Sequence, residues 1–223
     1  MAAPLTATSA ATRPPFWTPA KRRLSAADPV LGAIIRRHPR IALASRGDAF
    51  HTLARSIVGQ QISVKAADAI WTRVCTTCGQ ISPPAVVRRR AKTLRACGLS
   101  QRKVEYLRDL AAHFADRRVD QASLAGMSDD DVIAHLTDIR GIGRWTAEMF
   151  LIFNLQRPDV LPLDDLGLVK AIGRHYLPGH APASLMKGKG REQVVELARC
   201  WVPYRSVATW YLWRSLDPVP VEY

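Results

Sequence analysis

The stretch that most limits what this chain can fold into is residues 128–154, SDDDVIAHLTDIRGIGRWTAEMFLIFN. Ser128 with Asp131 three positions later is a capping-box-like helix start, placing a side-chain oxygen on the first free backbone N–H groups. Val132, Ile133 and Leu136 give that helix a short apolar face. Ile139, Gly141, Ile142 and Gly143 then form a tight apolar turn, whose glycines allow backbone angles and close approaches that a Cβ would block. From Arg144 the helical period returns, with Trp145, Met149, Ile152 and Phe153 at i, i+4, i+7 and i+8. A helix that begins directly after two glycines turns free N–H groups and the positive end of its dipole outward, toward an anion.

Helix, glycine hairpin, helix is a known way to hold a DNA phosphate, and this stretch resembles the helix-hairpin-helix signature of base-excision DNA glycosylases. The similarity continues through NLQRPDVLPLDDLGL, a Gly/Pro-rich connection that in the family ends in an aspartate; the matching residue is Asp165, 20 positions after Trp145 (165 − 145). Upstream IVGQQISVKAADAI and downstream WVPYRSVATWYLWR also resemble DNA-3-methyladenine glycosylase II, the branch that removes alkylated bases. In all, the resemblance spans about residues 26–217.

Charge points the same way. The 223 residues carry 32 Lys+Arg against 19 Asp+Glu, a formal +13, the footprint expected of a nucleic-acid partner, though a merely basic surface would give the same balance. No apolar run reaches membrane length, so the expectation is a soluble, cytoplasmic, nucleoid-associated protein with no membrane partner. Cys75 and Cys78 form a C-x-x-C with no second pair to complete a zinc site, and reduced thiols are expected. Some relatives carry a four-cysteine iron–sulfur cluster near the C-terminus; beyond Asp165 only Cys200 is present, which excludes it here.

Taken in order, residues 1–25 are rich in Ala, Thr and Pro and end in a basic cluster, and they read as a disordered basic tail ahead of a domain over 26–223. Larger members of the branch carry a β-rich N-terminal lobe, for which this chain is too short. Asp28 and Pro29 start a helix. Residues 49–78 read as a helix, a break near Gly59, and a second helix from about Ser63. Gln60 and Gln61 flank that break. Sequence alone makes them exposed polar residues, whereas the resemblance makes Gln61, with Gln60 beside it, the side chain that fills the gap left by a flipped base. Ser100 caps a helix bearing Val104, Leu107, Leu110 and Phe114 on one side. Arg102 and Lys103 oppose the dipole at its start, a conflict that either a bound phosphate or hydration relieves. The basic MKGKGR stretch, Met186 to Arg191, reads as a flexible loop.

Cutting an N-glycosidic bond passes through an oxocarbenium-like sugar, which a nearby carboxylate stabilises. The resemblance assigns that role to Asp165. On residue pattern alone, Asp164-Asp165 before LGLVKAI is an ordinary helix cap. A purine methylated at N3 or N7 is already cationic and leaves as a neutral base, so one carboxylate suffices, and an aromatic pocket suits it. Trp145, Trp201 and Tyr204 are the pocket candidates. Bifunctional relatives have a lysine where GIGRWTA has Trp145, and without that amine no Schiff base forms. Gly141, Gly143, Arg144 and Thr146 are expected at the DNA backbone. The resemblance further implies a Na or K ion held by the main-chain carbonyls of Thr137, Ile139 and Ile142; no other cofactor is expected.

The expected fold is therefore all-α, with two helical lobes, the hairpin motif at about 128–154, and a substrate cleft between the lobes. The expected function is a monofunctional glycosylase, monomeric, acting on double-stranded DNA that contains alkylated bases and leaving an abasic site. A glycosylase for other damaged or mismatched bases, or a non-enzymatic DNA-binding module that uses the hairpin alone, is the competing reading.

Overall fold

The computed structural model describes residues 13–39, 42–43 and 47–216. Among them every regular element is helical. In chain order these are α1 (Trp17–Ala27), α2 (Pro29–Arg37), α3 (Ala49–Gly59), α4 (Val64–Cys78), α5 (Pro83–Arg88), α6 (Ala91–Ala96), α7 (Gln101–Ala115), α8 (Gln121–Gly126), α9 (Asp129–Thr137), α10 (Arg144–Phe153), α11 (Leu166–His175), α12 (Pro182–Leu185), α13 (Gly188–Leu197), a 3-10 turn (Ala198–Trp201) and α14 (Arg205–Leu216).

The helices sort into two packed groups. In one, α3 lies against α4, α7 and α10, with α5 and α6 on α7 and α9 on α10. In the other, α14 packs on α1, α2 and α11, and α12 and α13 continue from α11. The first and last described helices thus build one lobe while the middle ones build the other. Capping side chains set many of the starts: Ser63, Ser100, Asp120, Ser128 and Asp165 each accept a backbone N–H from three residues on.

Two expectations need correction. The expected tail is helix from Trp17 onward: Trp17 is 1% exposed, and Ala20 and Leu24 are buried with it. The Trp17 ring sits edge-on to Trp210 at 5.3 Å and beside Tyr211 at 5.8 Å, so burial of one large indole orders a stretch whose composition read as disordered. Residues 1–12 of that expected tail lie outside the described residues, as do 217–223 of the expected domain. The MKGKGR stretch is also helical from Gly188. A Cβ on Gly190 would lie 2.1 Å from the Ser184 carbonyl oxygen, so here glycine serves close packing of α13 on α12 rather than flexibility.

Candidate active site

Asp165 is the N-cap of α11 and only 8% exposed. Its Oδ1 accepts the Leu168 N–H at 2.6 Å and the Trp213 Nε1–H at 2.7 Å, and its Oδ2 accepts the Trp145 Nε1–H at 2.9 Å. The donors come from α11, α14 and α10, so the carboxylate stands where the two lobes meet. Trp213 is held in turn by a near-parallel stack on Phe153, 5.8 Å between centroids. Gly167 makes the room: a Cβ there would sit 3.0 Å from Trp213 Cδ1 and 3.1 Å from Asp165 Oδ1. Sequence reasoning missed Trp213; the one local trace of it is a glycine inside the first turn of α11. Asp164 turns away, its Oδ1 2.6 Å from Arg191 Nη1.

Trp145 also lines a cleft of about 420 Å³ together with Thr146 from α10 and Arg55, Ser56, Gln60 and Gln61 from α3 and its following turn. Arg55 Nη2 meets Asp68 Oδ1 at 2.8 Å on its rim. Beside it, Ile62 and Val64 are exposed apolar side chains. Gln61 is exposed and has φ +58°, a left-handed conformation that costs a non-glycine residue about 1 kcal/mol or more.

The hairpin is fixed from below. Gly141 has φ +86°, and a Cβ there would come within 2.2 Å of the Tyr106 ring, so glycine is required twice over. The Arg140 N–H donates to Asp109 Oδ2 at 2.9 Å, and the Ile142 N–H closes the turn on the Ile139 carbonyl at 3.1 Å. Gly143, the N-cap of α10, has open space where its Cβ would be, so no intramolecular contact demands glycine there. Arg144 is exposed, and its Nε donates to Glu148 Oε1 at 3.0 Å. The Thr146 side chain is buried, so its share in any contact at the hairpin falls to its backbone N–H in the first turn of α10.

Two expected pocket residues stand elsewhere. Trp201 is 0% exposed, its Nε1–H donating to buried Asp28 at 2.8 Å, and Tyr204 stacks on Phe16 at 6.4 Å; both pack against the N-terminal segment rather than line the cleft. Gln60 does not project outward, because its Nε2 donates to the Gly141 carbonyl at 2.8 Å. Lys103 meets the conflict at the start of α7 within the chain: its Nζ donates to the carbonyls of Val58 at 2.7 Å and Gln60 at 2.6 Å, at the end of α3. Burial pushes its pKa down.

As for ions, the Thr137 carbonyl ends α9, where helix carbonyls lack internal partners, and the Ile139 carbonyl keeps one lone pair after accepting Ile142; this oxygen-only set suits a hard monovalent cation. Among the described residues no group of three or more His, Cys, Asp or Glu side chains is placed to hold a metal, and no helix is long and apolar enough to cross a membrane. The four cysteines are free thiols.

An all-α pair of lobes, a glycine hairpin and a carboxylate gripped by two indoles beside a cleft define the class. The family model described as HhH-GPD superfamily base excision DNA repair protein matches residues 54–194, and the chain belongs to that family. DNA-3-methyladenine glycosylase 1 of Schizosaccharomyces pombe is 36% identical over 170 residues, 74% of this chain and 72% of that protein. The crystal structure of a DNA-3-methyladenine glycosidase from Bacillus halodurans superposes with a TM-score of 0.76 at 36% identity, covering 89% of each chain. The 3-methyladenine DNA glycosylase of S. pombe in complex with abasic DNA superposes with a TM-score of 0.74 at 29% identity, over 88% of this chain and 96% of that one.

Proposed function

We propose that this protein is a monofunctional DNA glycosylase that removes alkylated purines such as 3-methyladenine and 7-methylguanine from double-stranded DNA and leaves an abasic site. The observation that carries this reading is the Asp165 carboxylate, buried at the lobe junction and oriented by Trp145, Trp213 and the Leu168 N–H. A carboxylate oxygen accepts about two hydrogen bonds. Oδ1 already has two and Oδ2 one, so Oδ2 keeps a lone pair for the developing sugar cation or the attacking water. Trp145 stands next to it with a flat π-face suited to a cationic purine. No amine occupies that position, so water adds to the anomeric carbon as the C–N bond breaks, the neutral base departs, and the strand stays intact.

Binding begins at the hairpin, where Gly141, Gly143, Arg144 and the free N–H groups of α10, Thr146 included, grip a backbone phosphate. The carbonyls of Thr137, Ile139 and Ile142 would hold a Na or K ion there, which adds positive charge beside that phosphate. Gln61, at the cleft edge in a strained turn, fills the gap left by the flipped base. The working form is a monomer associated with the nucleoid. A binding module that uses the hairpin alone has no need of a buried carboxylate or of the cleft.

The test is release of free 3-methyladenine and 7-methylguanine from alkylated duplex DNA. Asp165→Asn should retain helix capping and DNA binding yet lose at least about 100-fold in excision. Wild-type product should be cut only after alkali. Strand cutting without alkali overturns the monofunctional assignment, and salt-dependent binding with no base release moves the binding-module reading to first place.

A further inference from the structure

Two features of the proposed reaction, the Gln61 turn and the phosphate-gripping hairpin, are joined by contacts that the reaction itself does not call for. Gln60 reaches across 81 positions of sequence to donate its Nε2–H to the Gly141 carbonyl at 2.8 Å. Lys103 Nζ clamps the same turn from beneath, on the carbonyls of Val58 at 2.7 Å and Gln60 at 2.6 Å. One turn further along α7, the Tyr106 ring lies under Gly141, and a turn beyond that Asp109 accepts the Arg140 N–H at 2.9 Å. A single face of α7 therefore supports both features, and Gln60 spans the gap between them.

Such a tie has a physical purpose. Gln61 at φ +58° is a left-handed non-glycine residue, and such a conformation persists only where its surroundings over-determine it. Gln60, immediately before it, is fixed through both its side-chain amide and its carbonyl oxygen. Flipping a base costs a few kcal/mol of unstacking, and a side chain recovers part of that only if it is already aimed at the vacancy. We propose that Gln60 and Lys103 are positioning residues that tie the Gln61 turn to the hairpin, so that seating the hairpin on backbone phosphates presents Gln61 to the vacated base position.

This inference rests on the proposed role of Gln61, and the experiment separates the two. Single-turnover release of 7-methylguanine is measured from a duplex that pairs it with cytosine and from one that carries it in a single-nucleotide bulge, where extrusion is cheap. The readout is the paired-to-bulged rate ratio, which misfolding or a general loss of catalysis leaves unchanged. Gln61→Ala should lower the ratio by about tenfold, and Gln60→Ala and Lys103→Met should each lower it by several-fold toward that value. Lys103→Arg, which still donates to carbonyls, should return most of it. If Gln61→Ala shifts the ratio while Gln60→Ala and Lys103→Met leave it at the wild-type value, the tie is overturned and the Gln61 role stands. If Gln61→Ala leaves it unmoved, the Gln61 role fails and the tie with it; if wild type frees no 7-methylguanine from either duplex, the glycosylase reading fails first.

Discussion

At the scale of the residue, two aspartates in this protein solve the same problem with opposite consequences. Asp165 accepts one helix-start N–H and two indoles; Asp28 accepts the Leu31 N–H at 2.9 Å, the Tyr176 hydroxyl at 2.7 Å and the Trp201 indole at 2.8 Å. Asp28 is closed inside one lobe and pins α2 to the C-terminal elements; burial, together with that carboxylate, pushes the Tyr176 hydroxyl's pKa well up. Asp165 stands at the junction beside the cleft. Paired substitutions should separate the roles. Trp213→Phe keeps the stack on Phe153 and loses one N–H, so excision should fall about tenfold with a stability loss near 1 kcal/mol. Trp201→Phe leaves a buried acceptor short of a donor and should cost about 1–3 kcal/mol in thermal or urea unfolding, while excision per folded molecule holds. Equal effects of both substitutions on excision would contradict this division.

At the scale of the element, α10 carries the most conflicting demands. Its first turn follows the glycine hairpin, Trp145 lines the cleft, Phe153 stacks on Trp213, and Glu148 is buried in the same ten residues at 4% exposure. Burial pushes the Glu148 carboxyl's pKa up, Arg144 opposes that shift, and its Oε2 is buried without a hydrogen-bond partner. A carboxyl whose folded-state pKa is raised contributes most at pH below its unfolded value and loses that contribution as pH rises through the folded value. Glu148→Gln should therefore gain stability relative to wild type as pH goes from about 4 to about 7.5. Unfolding curves at the two ends check it, and a difference independent of pH would mean that Arg144 fully offsets the burial. The hairpin that precedes α10 was legible because its glycines and two flanking helical periods are local signals. The α13 helix was not, since Gly188 and Gly190 are read as flexibility until the Ser184 carbonyl is seen against Gly190.

At the scale of the whole molecule, the 32 Lys and Arg side chains overstate the number of cations offered to an anionic partner. Arg55, Arg157, Arg191 and Arg205 are paired with Asp68, Asp129, Asp164 and Asp159, and Lys103 is turned into α3. Arg88, Arg90, Lys92, Arg95 and Arg102 remain on the exposed surface. Affinity for undamaged duplex DNA should still fall at least about tenfold between 50 and 200 mM salt, because even a few neutralised phosphates release counterions. An affinity flat across that range would argue that the hairpin does not grip the backbone.

The helical class, the hairpin and the helix starts were legible in the sequence, because each is written within a few residues as periodicity, a cap or a glycine pair; on that local pattern Asp165 reads as a cap, and its proposed catalytic role came from the family resemblance. Helix-on-helix packing settled which aromatic reaches which carboxylate, that Gln60 faces the hairpin, that Lys103 faces carbonyls, and that Trp17 brings the N-terminal segment into the core. Those outcomes depend on contacts between side chains tens to well over a hundred positions apart. Helical spacing says which side of a helix a residue occupies, whereas only the packing of one helix on another fixes what that side meets.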